Sequence, residues 1–439
     1  MSEPARTPFV ASLPEAAALA RLPGSEIAWL EAARRENLDA VAAAGLPDTR
    51  VEAWKYTALR ALAQRSFAHG DAQAATRAVD AAALVLPGVD GPRLVFVNGA
   101  FRADLSALER LPAGLSLRPL SQALREDAEG LRFALSHRYR EAGDAFARLN
   151  AALAGDGVVL RVAANTQVAA PVHLLFLGAP AEGDLAWHLR NIVELEEGAE
   201  LALVEHHAAA GAQKHLATVV GDVVLRDGAK LDYAIVQDAA EDATLIRRSQ
   251  LRLGSRAQAS LHVQELGGAL VRHDLRAELA GDEARFVSNG VFALHGRQHV
   301  DTQLALRHAA LNTASESTWR GVADQRSRGV FRGAIVVAEG ADGSDASLSS
   351  KNLLLSALAE IDTKPELEIY ADEVKAAHGA TVGQLDERAL FYLRSRGIPH
   401  AEARAMLTAA FCRAVLQAMP NEALREHVAR LLLAHLPAE

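Results

Sequence analysis

The side chains that could ligate a metal or attack a substrate are unevenly spread along this chain. Histidine occurs 16 times, and a run of them (His206, His207, His215, His262, His273, His295, His299 and His308) lies in the middle third. Stacked repeats could align such imidazoles into a metal-binding ladder, but a ligand set needs convergent geometry that this spacing does not display. Cysteine occurs once, at Cys412. A single thiol cannot form an internal disulfide, a Cys-based zinc or Fe–S site, or a CxxC motif, so any iron–sulfur chemistry must take ligands from elsewhere. Glu339, Asp342 and Asp345 resemble the carboxylate cluster of a β-helix polysaccharide lyase, yet they sit in AEGADGSDASLSS, a composition typical of a solvated loop. His400-Ala401-Glu402 matches half of a deaminase zinc signature and lacks the PCxxC half. No GxxxxGK[ST], GxSxG or HExxH is found. The chemistry left open by the residues alone is that of a stand-alone β-helix metalloenzyme, lyase-like, or of no enzyme at all.

The elements that must carry these groups fall into three stretches, as expected for 439 residues at ordinary domain sizes. Residues 1–154 read as mostly helical: 15–21, 27–44 and 121–152 are rich in Ala, Leu, Glu and Arg at spacings of three and four. Between them Leu94-Val95-Phe96-Val97 is followed by Asn98-Gly99, a strong hairpin signal, which predicts a small sheet among the helices. From about residue 155 to 378 the pattern is short β segments separated by Glu197-Gly198-Ala199, Asp227-Gly228-Ala229, Gly254-Ser255-Arg256-Ala257 and Gly281-Asp282-Glu283-Ala284. These turns recur roughly every 26 to 30 residues, in the range of solenoids, and no helical pattern interrupts them. A parallel β-helix, each coil burying its apolar face on its neighbours, fits better than a β-sandwich. Residues 379–439 return to helix. Asp386 caps a helix that ends at Gly397, Pro399 opens a second, and Asn421 caps a third after Pro420.

Composition narrows the function classes. Forty-six basic residues against 55 acidic give a net charge of −9, with both signs interspersed, which argues against a nucleic-acid or anionic-membrane coat. The start, MSEPARTPFV, has no apolar signal-peptide core, and no run of apolar residues is long enough to span a bilayer. A soluble cytoplasmic protein is expected. A hexapeptide-repeat acyltransferase is disfavoured because the strands do not keep a strict six-residue period.

One stretch carries a family resemblance. Residues 327–398 contain SRGVFRGAIVVAEG, KNLLLS, IDTKPELEIYADEVKAAHGATVG and QLDERALFYLRSRGI; upstream lie PDTRVEAWKYTAL at 47–59 and VNGAF at 97–101. In order and along the whole chain, these resemble the SufB/SufD family of the SUF iron–sulfur cluster assembly machinery. The lack of the cysteines typical of the SufB side places the resemblance with the SufD side. The resemblance implies a mainly β fold with flanking α: a right-handed parallel β-helix core with helical N-terminal and C-terminal regions. It implies a non-catalytic scaffold, not an enzyme, that pairs with SufB through the β-helix and docks the ABC-type ATPase SufC through its C-terminal helices. Docking is implied for Leu390, Phe391, Tyr392, Leu393, Arg394, Ser395, Arg396 and Gly397. His378 corresponds to a histidine implicated at the SufB interface, a candidate ligand for iron or a transient Fe–S cluster shared with SufB. No tightly bound cofactor is expected. Many relatives carry a cysteine two residues before this histidine; here Ala376 stands there, so His378 and SufB would have to supply the ligands. The same β-helix edge could pair with itself when the chain is isolated, so a homodimer and the heteromeric complex both stay open. The C-terminal helices are expected to cap the open end of the solenoid as well as to dock SufC.

Overall fold

A computed structural model describes residues 7–71, 73–80 and 85–436. Its centre is a parallel β-solenoid of eight coils, each contributing one strand to either of two ten-stranded sheets. The first sheet runs from Leu115–Pro119 and Val158–Val162, through every second strand, to Glu360–Ile369. The second begins at the hairpin Arg93–Val97 and Ala100–Phe101 and ends at Lys375–Gly383. A residue's partner in the next coil lies 26 to 33 positions further on, as Thr244 beside Leu270 and Val159 beside Ile192.

The turns explain why the chain coils. Residues at one corner of successive coils share a left-handed conformation: Asn165 (φ 57°), Gly198 (65°), Gly228 (68°), Arg256 (57°), Glu283 (60°), Asn312 (55°) and Gly343 (74°). That conformation aims each backbone N–H along the solenoid axis. Gly198 donates to the Asp227 carbonyl (2.9 Å), Gly228 to Ser255 (2.8 Å), Arg256 to Asp282 (2.8 Å) and Glu283 to Leu311 (2.9 Å). Glycine supplies this geometry without a Cβ penalty; Arg256 and Glu283 tolerate it within a ladder bonded on both sides. Asp227, Asp282 and Asp342 add side-chain acceptors for the turn above: Asp227 for Ser255 N (2.9 Å), Asp282 for Leu311 N (3.0 Å) and Asp342 for Asp372 N (3.3 Å). Asp342 is therefore a turn residue of the solenoid, not part of a carboxylate cluster.

Alternation along each strand sends Leu, Val and Phe side chains such as Leu203, Leu261, Phe286 and Phe292 into a continuous lumen core. Parts of the outer faces are buried too, while Gln250, Arg252 and Arg307 of the first sheet stay exposed. Helices Ala28–Ala44 and Ala145–Leu153 pack on the first sheet, against Ala186, Leu216 and Ile246 among others. Helices His400–Leu416 and Glu422–His435 pack on the second, against Val204, Ala234, Val236, Val291 and Val322.

Several sequence expectations need correction. Residues 121–152 are not one helix but Leu120–Glu126, a 3₁₀ turn Glu129–Leu131, Arg132–Leu135 and Ala145–Leu153. Asp127 accepts from Gly130 N (3.0 Å) and Asp144 from Glu141 N (3.2 Å), local turns that stop helical propagation despite the apolar spacing. Residues 16–21 form a 3₁₀ segment. The Asn98-Gly99 hairpin forms, with φ of 46° and 82°, but it is the first rung of the second sheet, not a separate small sheet. The C-terminal helices lie across the side of the second sheet and leave the open end of the solenoid bare, because the apolar stripe that holds them is on the outer face.

The motif at 47–59 acts as a strap over the first sheet. Trp54 is buried between Phe146 (ring centroids 5.4 Å apart) and the Arg272 guanidinium, 4.1 Å above its ring, and its Nε1 donates to the Gly143 carbonyl (3.0 Å). Buried Thr57 hydrogen-bonds Asp301 and the His299 Nε2 (3.0 Å). Glu52 pairs with Lys364 (2.8 Å), so the strap reaches the last coil.

Candidate functional site

The last coil is the part of the solenoid whose backbone is bonded on one side only. Glu360–Ile369 and Lys375–Gly383 are the terminal strands of the two sheets. Unpaired strand edges invite pairing with another chain, and the two edges differ in how they are guarded. The first-sheet edge carries Glu360, Asp362, Lys364, Glu366 and Glu368, with Pro365 in its middle, a residue suited to an edge and hostile to strand addition. The second-sheet edge reads Lys375-Ala-Ala-His-Gly-Ala-Thr-Val-Gly383; after Lys375 it is small, uncharged and flat. Exposed Ile369, Tyr370 and Val382 border this end.

His378 stands in the middle of the unguarded edge, paired in register with Leu348 of the lumen core, so its ring faces the mouth of the lumen. It is exposed. Ala376 lies two residues away in the same strand. Among the described residues no group of three or more His, Cys, Asp or Glu side chains converges to hold a metal ion. His378 can therefore offer one imidazole ligand at this edge, and any further ligands for a metal or cluster would have to come from another chain. Nearby Asp372, Glu373 and Lys375 are exposed turn and edge charges.

The sequence-predicted docking residues come together on helix Glu387–Ser395 and the turn that ends it. Asp386 caps the helix by accepting from Arg388 N (2.9 Å). Leu390 is its one buried side chain, while Phe391 is 72% and Tyr392 57% exposed. Leu393 is half-buried, and Arg394, Ser395, Arg396 and Gly397 are exposed. Arg396 donates to the Tyr392 hydroxyl (3.1 Å) and lies over its ring (5.2 Å); Gly397 closes the helix at φ 89°. Two exposed aromatics with an adjacent Arg form the kind of anchor that carries binding energy at interfaces.

The histidines do not form a metal ladder. His207 and His273 point into the lumen, where they join a polar cluster that sequence reasoning missed. Glu205 accepts from Arg247 (2.7 Å) and Tyr233 and bonds the His207 Nε2 (2.7 Å); His273 contacts Ser249 (3.0 Å); Glu265 accepts from Thr302 (2.6 Å). Burial pushes the Glu205 carboxyl up, but Arg247, His207 and Tyr233 outweigh it and hold it well below the usual range. Burial raises Glu265 to about 7, against the opposing pull of Thr302 and Arg247, and drives His273 well below the ordinary imidazole value. The available signal was a charged pair inside an apolar strand, Glu205 in LALVEHH and Arg247 in TLIRRS. His206, His262 and His295 lie on the outer face of the second sheet, His299 meets the strap, His308 bonds Thr313 and Ser315 (2.8 and 2.9 Å), and His215 bonds the Ala179 carbonyl (2.9 Å). Cys412 is fully buried, with its thiol pushed up to about 12 by burial, and is no nucleophile.

Residues 177–411 match the family model "SUF system FeS cluster assembly, SufBD core domain", and residues 17–174 match "SufBD protein N-terminal region". The chain is 31% identical over 406 residues to the iron–sulfur cluster assembly protein SufD of Escherichia coli, covering 92% of each chain. It is 30% identical over 419 residues to an iron–sulfur cluster assembly SufBD family protein of Synechocystis, covering 92% of this chain and 91% of that one. A chloroplastic SufBD family protein of Arabidopsis thaliana is 26% identical over 322 residues, 71% of this chain and 57% of its own length.

Proposed function

The chain belongs to the SufBD family of iron–sulfur cluster assembly proteins, and from that premise we propose that it is a non-catalytic scaffold of the SUF complex. It pairs with SufB through the second-sheet edge of its last coil and docks the SufC ATPase through the helix bearing Phe391 and Tyr392. The observation that carries the reading is the second-sheet edge. It is small and uncharged where its counterpart is guarded by charges and a proline, and it places His378 at its centre. Strand-to-strand pairing there would bring a partner's ligands to His378, so that iron or a transient cluster is held as cargo between two chains and neither holds it alone. Energy would come from SufC, since this chain has no nucleotide-binding motif. Dimerisation of two SufC copies, one on each scaffold subunit, would draw the C-terminal regions together and reshape the site near His378. The proposed working place of the protein is the cytoplasm. Among the described residues no helix is long and apolar enough to cross a membrane.

The experiment is co-expression of the tagged chain with SufB and SufC, followed by light scattering on the purified material. The expected result is one copy of each scaffold subunit with two of SufC, and a complex that His378→Ala leaves assembled but unable to retain iron. A chain that purifies alone, or as a homodimer, under these conditions would refute the pairing and docking assignments.

A further inference from the structure

At the start of the first sheet two histidines face each other. The short strand Ala68–His69 pairs with the beginning of Leu185–Leu195 and sets His69 beside Ala186. His188, two residues further along, shares the outer face with Ala186. The rings meet nitrogen to nitrogen: His69 Nδ1 lies 3.4 Å from His188 Nε2, with the centroids 5.6 Å apart and the planes inclined by 21°. That separation is long for a hydrogen bond. It is close to the roughly 3.3 Å between two imidazole nitrogens held at about 2.05 Å by one tetrahedral ion.

The rest of each ring is supported as in a metal-bound histidine, whose second nitrogen is fixed by a neighbouring polar group. His188 Nδ1 is 2.8 Å from Thr218 Oγ1, and the fully buried Asn150 holds that hydroxyl from the other side through Nδ2 (3.0 Å). The His69 ring bonds the Ser12 backbone. Burial lowers His69 to about 4 and drives His188 well below the ordinary imidazole value, so at neutral pH both rings are uncharged and carry a lone pair. His188 is 4% exposed and His69 half-buried. Both line a cleft of about 250 Å³, open to solvent, between Leu19, Leu153 and the hairpin turn at Asn98-Gly99. The cleft is an entry path and has room for water as further ligands. Asp71 lines it too, but its carboxylate is tied to Arg77 and to Asn98 Nδ2 (2.7 Å) and is no third ligand.

We infer that His69 and His188 form a two-histidine site for a late first-row divalent cation such as Zn²⁺, completed by water. His188 then keeps its proton on Nδ1, where Thr218 Oγ1 accepts it, and His69 keeps its own on the nitrogen turned away from His188. The ion ties the N-terminal layer, through His69, to the solenoid, through His188.

The test is titration of the full chain with Zn²⁺ at neutral pH in competition with a chromophoric chelator, repeated with Co²⁺ and read by visible absorption. The expected result is one site per chain with the intense bands of a low-coordinate Co²⁺ centre. His69→Gln and His188→Gln each remove it, Thr218→Val weakens it about 10-fold, and His378→Ala leaves it unchanged. Circular dichroism checks the fold of each variant, and the half-buried His69 decides the matter should His188→Gln not fold. Hydrogen exchange reads the tie: Zn²⁺ slows it at residues 68–70 and 185–190 in the wild type and not in His69→Gln. A folded His69→Gln chain that binds Zn²⁺ as the wild type does, or a wild-type chain whose only Zn²⁺ site is lost in His378→Ala, would overturn the inference. Neither histidine belongs to the last coil or to helix Glu387–Ser395, so such a result would leave the scaffold reading standing.

Discussion

Glu265→Gln is the most informative single change in the lumen. The carboxyl is fully inside the solenoid, with Thr302 as its hydrogen-bond donor at 2.6 Å and His273 at 3.8 Å. Its proton leaves near pH 4.5 in the unfolded chain and at about 7 in the fold, chiefly because burial penalises the charged form. Between those values the folded state binds a proton that the unfolded state has released, so stability falls as pH rises, and above about 7 the whole penalty is felt. The gap corresponds to roughly 3 kcal/mol. Glutamine keeps the size and the acceptor for Thr302 but cannot ionise. The variant is therefore expected to match the wild type at pH 4.5 and to exceed it by up to about 3 kcal/mol at pH 8. Urea unfolding followed by circular dichroism at four pH values measures the difference directly. A difference independent of pH, or a variant less stable at pH 8, would show that Glu265 is ionised and satisfied in the fold and would refute this account of the cluster.

Three further outcomes follow from the same geometry. Trp54→Ala removes a side chain packed between Arg272 and Phe146 and is expected to cost about 3–5 kcal/mol, read as early proteolysis of the N-terminal layer in a denaturant series. Thr381→Lys adds a charge to the unguarded edge; the isolated chain should melt as the wild type does, while SufB fails to co-purify with it. His435 is raised above its ordinary 6.5, mainly by its hydrogen bond to Asp238, so its contribution is complete below pH 6.5 and is lost as pH rises through the folded value. Hydrogen exchange in helix Glu422–His435 should accordingly quicken from pH 6.5 upward in the wild type, after correction for intrinsic rates, and lose that component in Asp238→Asn.

Much of the solenoid was legible because its turns are local. Gly198, Gly228, Arg256 and Glu283 stand where the chain must adopt positive φ, and the flanking residues announce it. Helix Glu387–Ser395 was legible for the same reason, through Asp386 and Gly397. What the sequence concealed depends on contacts far apart in the chain. The placement of the C-terminal helices follows from an outer-face stripe assembled from six different coils. Its trace was present only as runs such as Ala234-Ile235-Val236, where consecutive apolar residues mean that both faces of a strand are buried. The mostly helical reading of 121–152 missed the breaks between short helices, because Asp127 and Asp144 compete locally for backbone N–H groups, which a spacing of apolar residues does not register. The strap motif was visible as a pattern, but its partners Arg272, Asp301 and Lys364 are more than 200 residues away.

The placement of the helical layer also decides how the solenoid bears load. A pull on the chain at residue 384 enters at the last rung, where strands would peel away one at a time, each rung resisting alone. A pull on the helices while they lie against Val204, Ala234, Val291 and Val322 is shared sideways by many rungs together, which must then fail in shear. Force applied through helix Glu387–Ser395 is therefore met by several rungs in shear and not by the last rung alone.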